Sequence, residues 1–166
     1  SIYWVDGKPA KAGMRLRNPE LAKTLKLIAR KGPDAFYTGA IANSIVDTVT
    51  KSPVAPGDMT LADLAAYKAV EQNAVCAPYR VYVICGMAPP SSGATTVLQI
   101  LGTLERFDMR AMGKNDPKSW FLIGQAMQLA YADREKYLGD SSFVQVPVAG
   151  LIDKAYLAER SAMIDP

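Results

Sequence analysis

The amino-acid sequence predicts an α+β fold, mostly helical with a β-hairpin, forming a single domain over residues 1–166. Three observations carry the prediction. Apolar residues recur at three- and four-residue intervals through most of the chain, the spacing that lines one face of a helix. Residues 70–76 and 79–85 are instead rich in Val, Ile and Tyr and flank Pro78, the composition of two strands joined by a tight turn. With 49% apolar and 21% charged residues, a chain of 166 residues is long enough to bury a core and too apolar for disorder.

The elements follow in order. Asn18, Pro19 and Glu20 supply an N-cap, a proline at the first helical position and an early acid; Leu21, Leu25 and Ile28 then repeat until Gly32 and Pro33 stop the helix. A helical turn from Pro33 to Tyr37 precedes a second helix, marked by Ile41, Ile45 and Val49 and ending near Lys51. Residues 52–58, with their Pro and Gly, read as a loop. Thr60 and Asp63 stand three apart as a capping box, and Met59 is placed to staple Leu64, starting a short helix that reaches Tyr67. The two strands come next, and a lone hairpin needs a partner surface. From Ser92, the spacing of Val97, Leu98, Leu101 and Leu104 gives a helix. Asp116 and Pro117 cap the longest one, whose Trp120, Phe121, Ile123, Ala126, Met127, Ala130 and Tyr131 are apolar on nearly all sides, so this helix is expected to be buried. Gly139 ends it, a loop with Pro147 follows, and Asp153 caps a last helix through Tyr156, Leu157 and Ile164. No repeat or low-complexity segment interrupts this series.

Composition narrows the chemistry. A net charge of +3, with Lys and Arg interspersed among Asp and Glu, leaves no footprint for nucleic acid. No apolar run approaches the roughly 18 residues that cross a bilayer. Residues 1–6 lack the basic and apolar regions of a signal peptide, and the start reads as the interior of a longer protein. The chain has no His, which excludes Ser-His-Asp and Cys-His catalysis and any His-ligated metal from its own residues, and no cofactor is called for. Cys76 and Cys85 are too few for a disulfide scaffold and lack CxxC spacing. They are expected to be buried free thiols; the other reading is a cross-strand disulfide, which pairing about Arg80 and Val81 would align. Val81 suits a tight turn poorly, so reduced thiols are preferred.

Two segments carry candidate site residues. Pro89-Pro90-Ser91-Ser92-Gly93 places two hydroxyls at the start of a helix, where free amides and the helix dipole favour an anion. The functional reading makes Ser91, Ser92 and Gly93 contacts for a substrate carboxylate; the structural reading, preferred here, is that Ser91 or Ser92 caps the helix. Asp133, Arg134, Glu135 and Lys136 close the long helix, and Asp140 follows Gly139. Asp133 and Asp140 could act as an acid–base pair. The preferred reading is structural: Arg134 and an acid form a bidentate, buried pair that anchors the helix end and the next loop.

Three strings in a fixed order, Asp63-Leu64-Ala65-Ala66-Tyr67, Pro89-Pro90-Ser91-Ser92-Gly93 and the ten residues from Tyr131 to Asp140, resemble the γ-glutamyltranspeptidase family. The resemblance runs from about Pro19 to about Tyr156 and falls on the C-terminal part of the family's large subunit. It implies a fragment of an N-terminal-nucleophile hydrolase with an αββα sandwich, in which the hairpin strands join a larger sheet. It implies a γ-glutamyltransferase or glutathione hydrolase that passes a γ-glutamyl group to water or an amino acid. The nucleophile is a Thr outside this chain, freed by self-cleavage of a precursor. The implied partners are the rest of the large subunit, the small subunit and a small-molecule γ-glutamyl substrate, in a periplasmic or secreted setting. No catalytic residue falls in this chain, and it is expected to be inactive alone. Thr95 and Thr96 are read as helix residues, because a Thr of this kind must expose its own α-amine as base. Ala94 after Gly93, and Val81 after Arg80, stand where the family usually has Gly. The alternative is a stand-alone helical interaction module; exposed apolar faces favour the fragment, a closed polar surface the module.

Overall fold

Two compact units, Ser1–Val70 and Glu71–Pro166, make up the structure, a computed structural model that describes residues 2–165. Helices account for about half of it, with two small antiparallel sheets.

In the first unit, β1 (Trp4–Val5) pairs with β2 (Lys8–Pro9) through Asp6 and Gly7, both at positive φ (50° and 74°). An Asp-Gly pair meets the demand of such a turn at little cost. Helix α1 (Pro19–Lys31) begins as the sequence predicts: the Asn18 side chain accepts from the Leu21 amide at 3.0 Å, and Gly32, at φ 78°, closes the other end. Next come α2 (Asp34–Tyr37), α3 (Gly39–Thr50) and α4 (Leu61–Ala66). The capping box forms, with the Thr60 amide donating to Asp63 Oδ2 at 2.7 Å and the Asp63 amide to Thr60 Oγ1 at 3.2 Å. The Thr60 hydroxyl, then its amide, hold the Asp63 carboxyl below the usual carboxylate range. The apolar face of α1 stays open, with Leu21 51% and Leu25 56% exposed.

The second unit holds β3 (Val75–Tyr79), β4 (Tyr82–Gly86), α5 (Gly93–Leu104), α6 (Met109–Met112), α7 (Pro117–Tyr137), α8 (Val148–Leu151) and α9 (Lys154–Ala162). The first strand is shorter and later than expected: residues 70–74 lie outside it, and Pro78 sits within it opposite Val83. The register explains the tolerance. Cys76 and Cys85 face each other with Cα atoms 4.1 Å apart, the close pair type whose amides point away from the partner strand. Pairs alternate in type, so Pro78 and Val83 form the same kind, and β4 asks nothing of the N–H that proline lacks.

The expected free thiols are overturned: Cys76 and Cys85 form a disulfide. Val81 does not carry the strained turn position; Arg80 does, at φ 53°. Its amide donates to Glu105 Oε1 and its guanidinium to the Phe107 carbonyl, both at 3.3 Å, which holds the turn. Nor are the cysteines buried. Val75, Ala77, Tyr79, Ile84 and Gly86 turn inward, and the two-residue period of strands puts Cys76 and Cys85 on the exposed face.

Helices α5 and α7 pack around Leu104, Leu122, Ala126 and Ile164, with Phe107 and Met112 against them. The expectation that α7 is buried all round is also corrected. Ser119, Leu122, Ala126, Ala130 and Asp133, at three- and four-residue spacing, form its buried side. Trp120 (64%), Phe121 (47%), Met127 (41%) and Tyr131 (48%) stay exposed, because α5 and α6 lie against one side of the helix. Helix α9 approaches α5 at Gly102, where a Cβ would strike the Leu157 side chain. Arg106 locks the end of α9, donating from Nε to the Ser161 hydroxyl at 2.8 Å and from Nη2 to the Ile164 carbonyl at 2.7 Å. Basic side chains at helix C-termini satisfy carbonyls that lack partners in the helix.

Candidate functional site

The β4–α5 loop and the last turns of α7 meet in a cleft of about 310 Å³, lined by Pro90, Ser92, Arg134, Glu135, Leu138, Gly139 and Asp140. The Pro89–Pro90 bond is cis, and the Ser91 amide donates to the Ala88 carbonyl at 3.2 Å, folding the loop back on itself. Arg134 Nε donates to the Ser92 hydroxyl oxygen at 3.1 Å, joining the two motif segments across the cleft. The Ser141 hydroxyl donates to the Pro89 carbonyl at 3.3 Å, and Asp140 Oδ1 accepts the Ser142 amide at 2.9 Å, which fixes the far wall.

Two expectations for these residues change. Ser92 is the N-cap residue of α5, but its side chain makes no capping bond there; its hydroxyl is turned to Arg134. Arg134 forms no buried bidentate pair: a single contact of 3.0 Å joins it to Glu135, with the two side chains 41% and 75% exposed. An ion pair that open to water contributes little. What the cleft offers is a guanidinium, a hydroxyl and two carboxylates around one opening, a set suited to a small charged ligand. The partner of the Ser92 hydroxyl is a guanidinium N–H, which donates and cannot take its proton.

The buried ion pair lies one residue earlier. Asp133 Oδ1 accepts from Arg160 Nη2 at 3.1 Å, and Oδ2 accepts from Gln99 Nε2 at 2.7 Å and from the Tyr156 hydroxyl at 2.8 Å. Arg160 also donates to the Leu129 carbonyl at 2.9 Å, so α5, α7 and α9 converge on one carboxylate. The Tyr156 hydroxyl is pushed up to about 12 by burial first and by its bond to Asp133 second. Asp133 and Asp140 are not brought together: one carboxylate is spent on the interior and the other caps a loop beside the cleft. Thr95 and Thr96 are buried within α5.

Sequence reasoning missed Gln99, Arg106 and Arg160. Arg160 follows Tyr156 by four residues and so shares its helix face, the one local signal of this network. Among the described residues no cluster of three His, Cys, Asp or Glu side chains could hold a metal ion.

The family model described as gamma-glutamyltranspeptidase matches residues 1–166. The chain is 44% identical over 165 residues to the glutathione hydrolase proenzyme of Escherichia coli K12, covering 99% of this chain and 28% of that protein. It is 40% identical over 159 residues to the acylase ACY 1 proenzyme of a Pseudomonas species (strain SE83), covering 96% of this chain and 28% of that one. Among solved structures it superposes on the Helicobacter pylori gamma-glutamyltranspeptidase with a TM-score of 0.77 at 36% identity, covering 99% of this chain and 47% of that one. The chain thus spans under a third of the length of these curated relatives.

Proposed function

The chain belongs to the γ-glutamyltranspeptidase family, and on that premise we propose that it works as part of the large subunit of a γ-glutamyltransferase or glutathione hydrolase. The enzyme attacks a γ-glutamyl amide with a Thr outside this chain, forms a γ-glutamyl ester and passes the acyl group to water or an amino acid. The observation that carries the reading is the family match along the whole chain, together with an outer α7 face left uncovered. Residues 1–166 then act as one scaffold portion of an αββα sandwich, whose remaining layers, with the small subunit, cover the open apolar faces. Within it, Ser92 stands beside Arg134 at a cleft and is the best placed of Ser91, Ser92 and Gly93 to touch a substrate carboxylate. Asp133 and Asp140 serve structure, one in the interior and one in the loop. A disulfide on an exposed strand face suits an oxidising, periplasmic or secreted setting.

The test replaces the matching segment of the Escherichia coli proenzyme with residues 1–166 and follows release of the chromophore from a γ-glutamyl anilide. The chimera is expected to process itself and turn over, the isolated chain to be inactive, and Arg134→Ala in the chimera to raise KM more than it lowers kcat. A processed, folded chimera without turnover would overturn the scaffold role. Turnover by the isolated chain would overturn the assignment of the nucleophile to another segment.

A further inference from the structure

We infer that the Cys76–Cys85 disulfide is a thiol-exchange site, opened by a low-molecular-weight organic thiol, and that its opening loosens the loop leading into the cleft. Both cysteines stand on the exposed face of the hairpin, so the bond is open to reagents that the core excludes.

The hairpin does not hang on this bond alone. Its inward residues face α5, the five-pair register runs from Val75–Gly86 to Tyr79–Tyr82, and Arg80 ties the turn to Glu105 and Phe107. The bond can therefore open without unfolding the unit. Its position gives the opening a target. Gly86 follows Cys85 and lies so close to α5 that a Cβ there would come within 2.8 Å of the Ala94 Cβ. The chain then runs through Met87 and Ala88 into Pro89, Pro90 and Ser92, the cleft wall. Closing the ring next to this segment restrains where the loop begins; opening it removes that restraint.

The exchange balances. The thiolate attacks one of the two exposed sulfurs, a new S–S bond forms, the Cys76–Cys85 bond breaks, and the other cysteine leaves with the electron pair as a thiolate that takes a proton from water. A second thiol attacks the mixed disulfide, releasing the small-molecule disulfide and the second protein thiol. Two thiols are oxidised and one protein disulfide is reduced.

The native protein is incubated with graded 2-mercaptoethanol, quenched with iodoacetamide and mapped by mass spectrometry, with hydrogen exchange read at residues 87–92. The expected result is an adduct on one cysteine, alkylation on the other, and several-fold faster exchange at 87–92 with the rest of α5 and α7 unchanged. The Cys76→Ser/Cys85→Ser variant is expected to show the fast loop without thiol and no further response. A bond that resists thiol until denaturant is added would overturn the site. Unchanged exchange at 87–92 in both the opened protein and the double variant would overturn the coupling to the cleft.

Discussion

Replacing Asp133 with Ala removes the carboxylate on which three helices converge, and the cost follows from the geometry. Breaking a buried ion pair by deleting one partner costs about 3–5 kcal/mol. The Asp133 side chain is 8% exposed and that of Arg160 19%, and Arg160 keeps its bond to the Leu129 carbonyl, which places the loss at the low end. Gln99 and Tyr156 lose their acceptor in the same change, and such losses in one network do not add. The expected cost is about 3 kcal/mol, or roughly 6–12 °C in Tm at roughly 2–4 °C per kcal/mol for a chain of 166 residues. Urea and thermal unfolding followed by circular dichroism would measure it, with an Asp133→Ala/Arg160→Ala double-mutant cycle to isolate the pair. The neighbouring Arg134→Ala is the internal control: a side chain that open, in a single-contact surface pair, is expected to change stability by less than about 1 kcal/mol. The reasoning fails should Asp133→Ala cost less than Arg134→Ala, or should the cycle return no coupling between Asp133 and Arg160.

Tyr156 ties stability to alkaline pH. Its hydroxyl is raised from 10.0 to about 12 in the folded protein, so the folded state holds this proton more tightly than the unfolded chain. That contribution is complete below pH 10 and disappears as pH climbs toward 12, so the stability gap between wild type and Tyr156→Phe should narrow across this window in urea titrations. A gap constant with pH would contradict it. Two glycines should respond in opposite directions. Gly102→Ala drives a Cβ into the Leu157 side chain and is expected to destabilise by about 1–3 kcal/mol. Gly124→Ala on α7, where a Cβ meets nothing, is expected to stabilise by about 0.5–1 kcal/mol. Urea midpoints shifting the same way in both would refute the packing argument.

Helix ends were legible in the sequence because their interactions span two to four residues. Asn18 to the Leu21 amide, Thr60 with Asp63, Asp116 to the Lys118 amide and Asp153 to the Ala155 and Tyr156 amides all form at the predicted starts. The Asp6-Gly7 turn was equally local and carried a hairpin signal that went unread. The three family strings were legible for a different reason: they are stretches of residue identity, independent of packing. What the sequence alone left open was decided by contacts between distant residues. Ser92 and Arg134 lie 42 positions apart, Gln99 and Asp133 34, and Asp133 and Arg160 27. Which of the adjacent Asp133 and Arg134 faces inward depends on where α5 and α9 sit, and spacing along one helix does not contain that. The disulfide likewise waited on a strand register whose pair types alternate, and the open side of α7 on how few neighbours reach it. Local hydrogen bonds are set by residue order; partner choice across elements is set by the packing that brings them within a few ångströms.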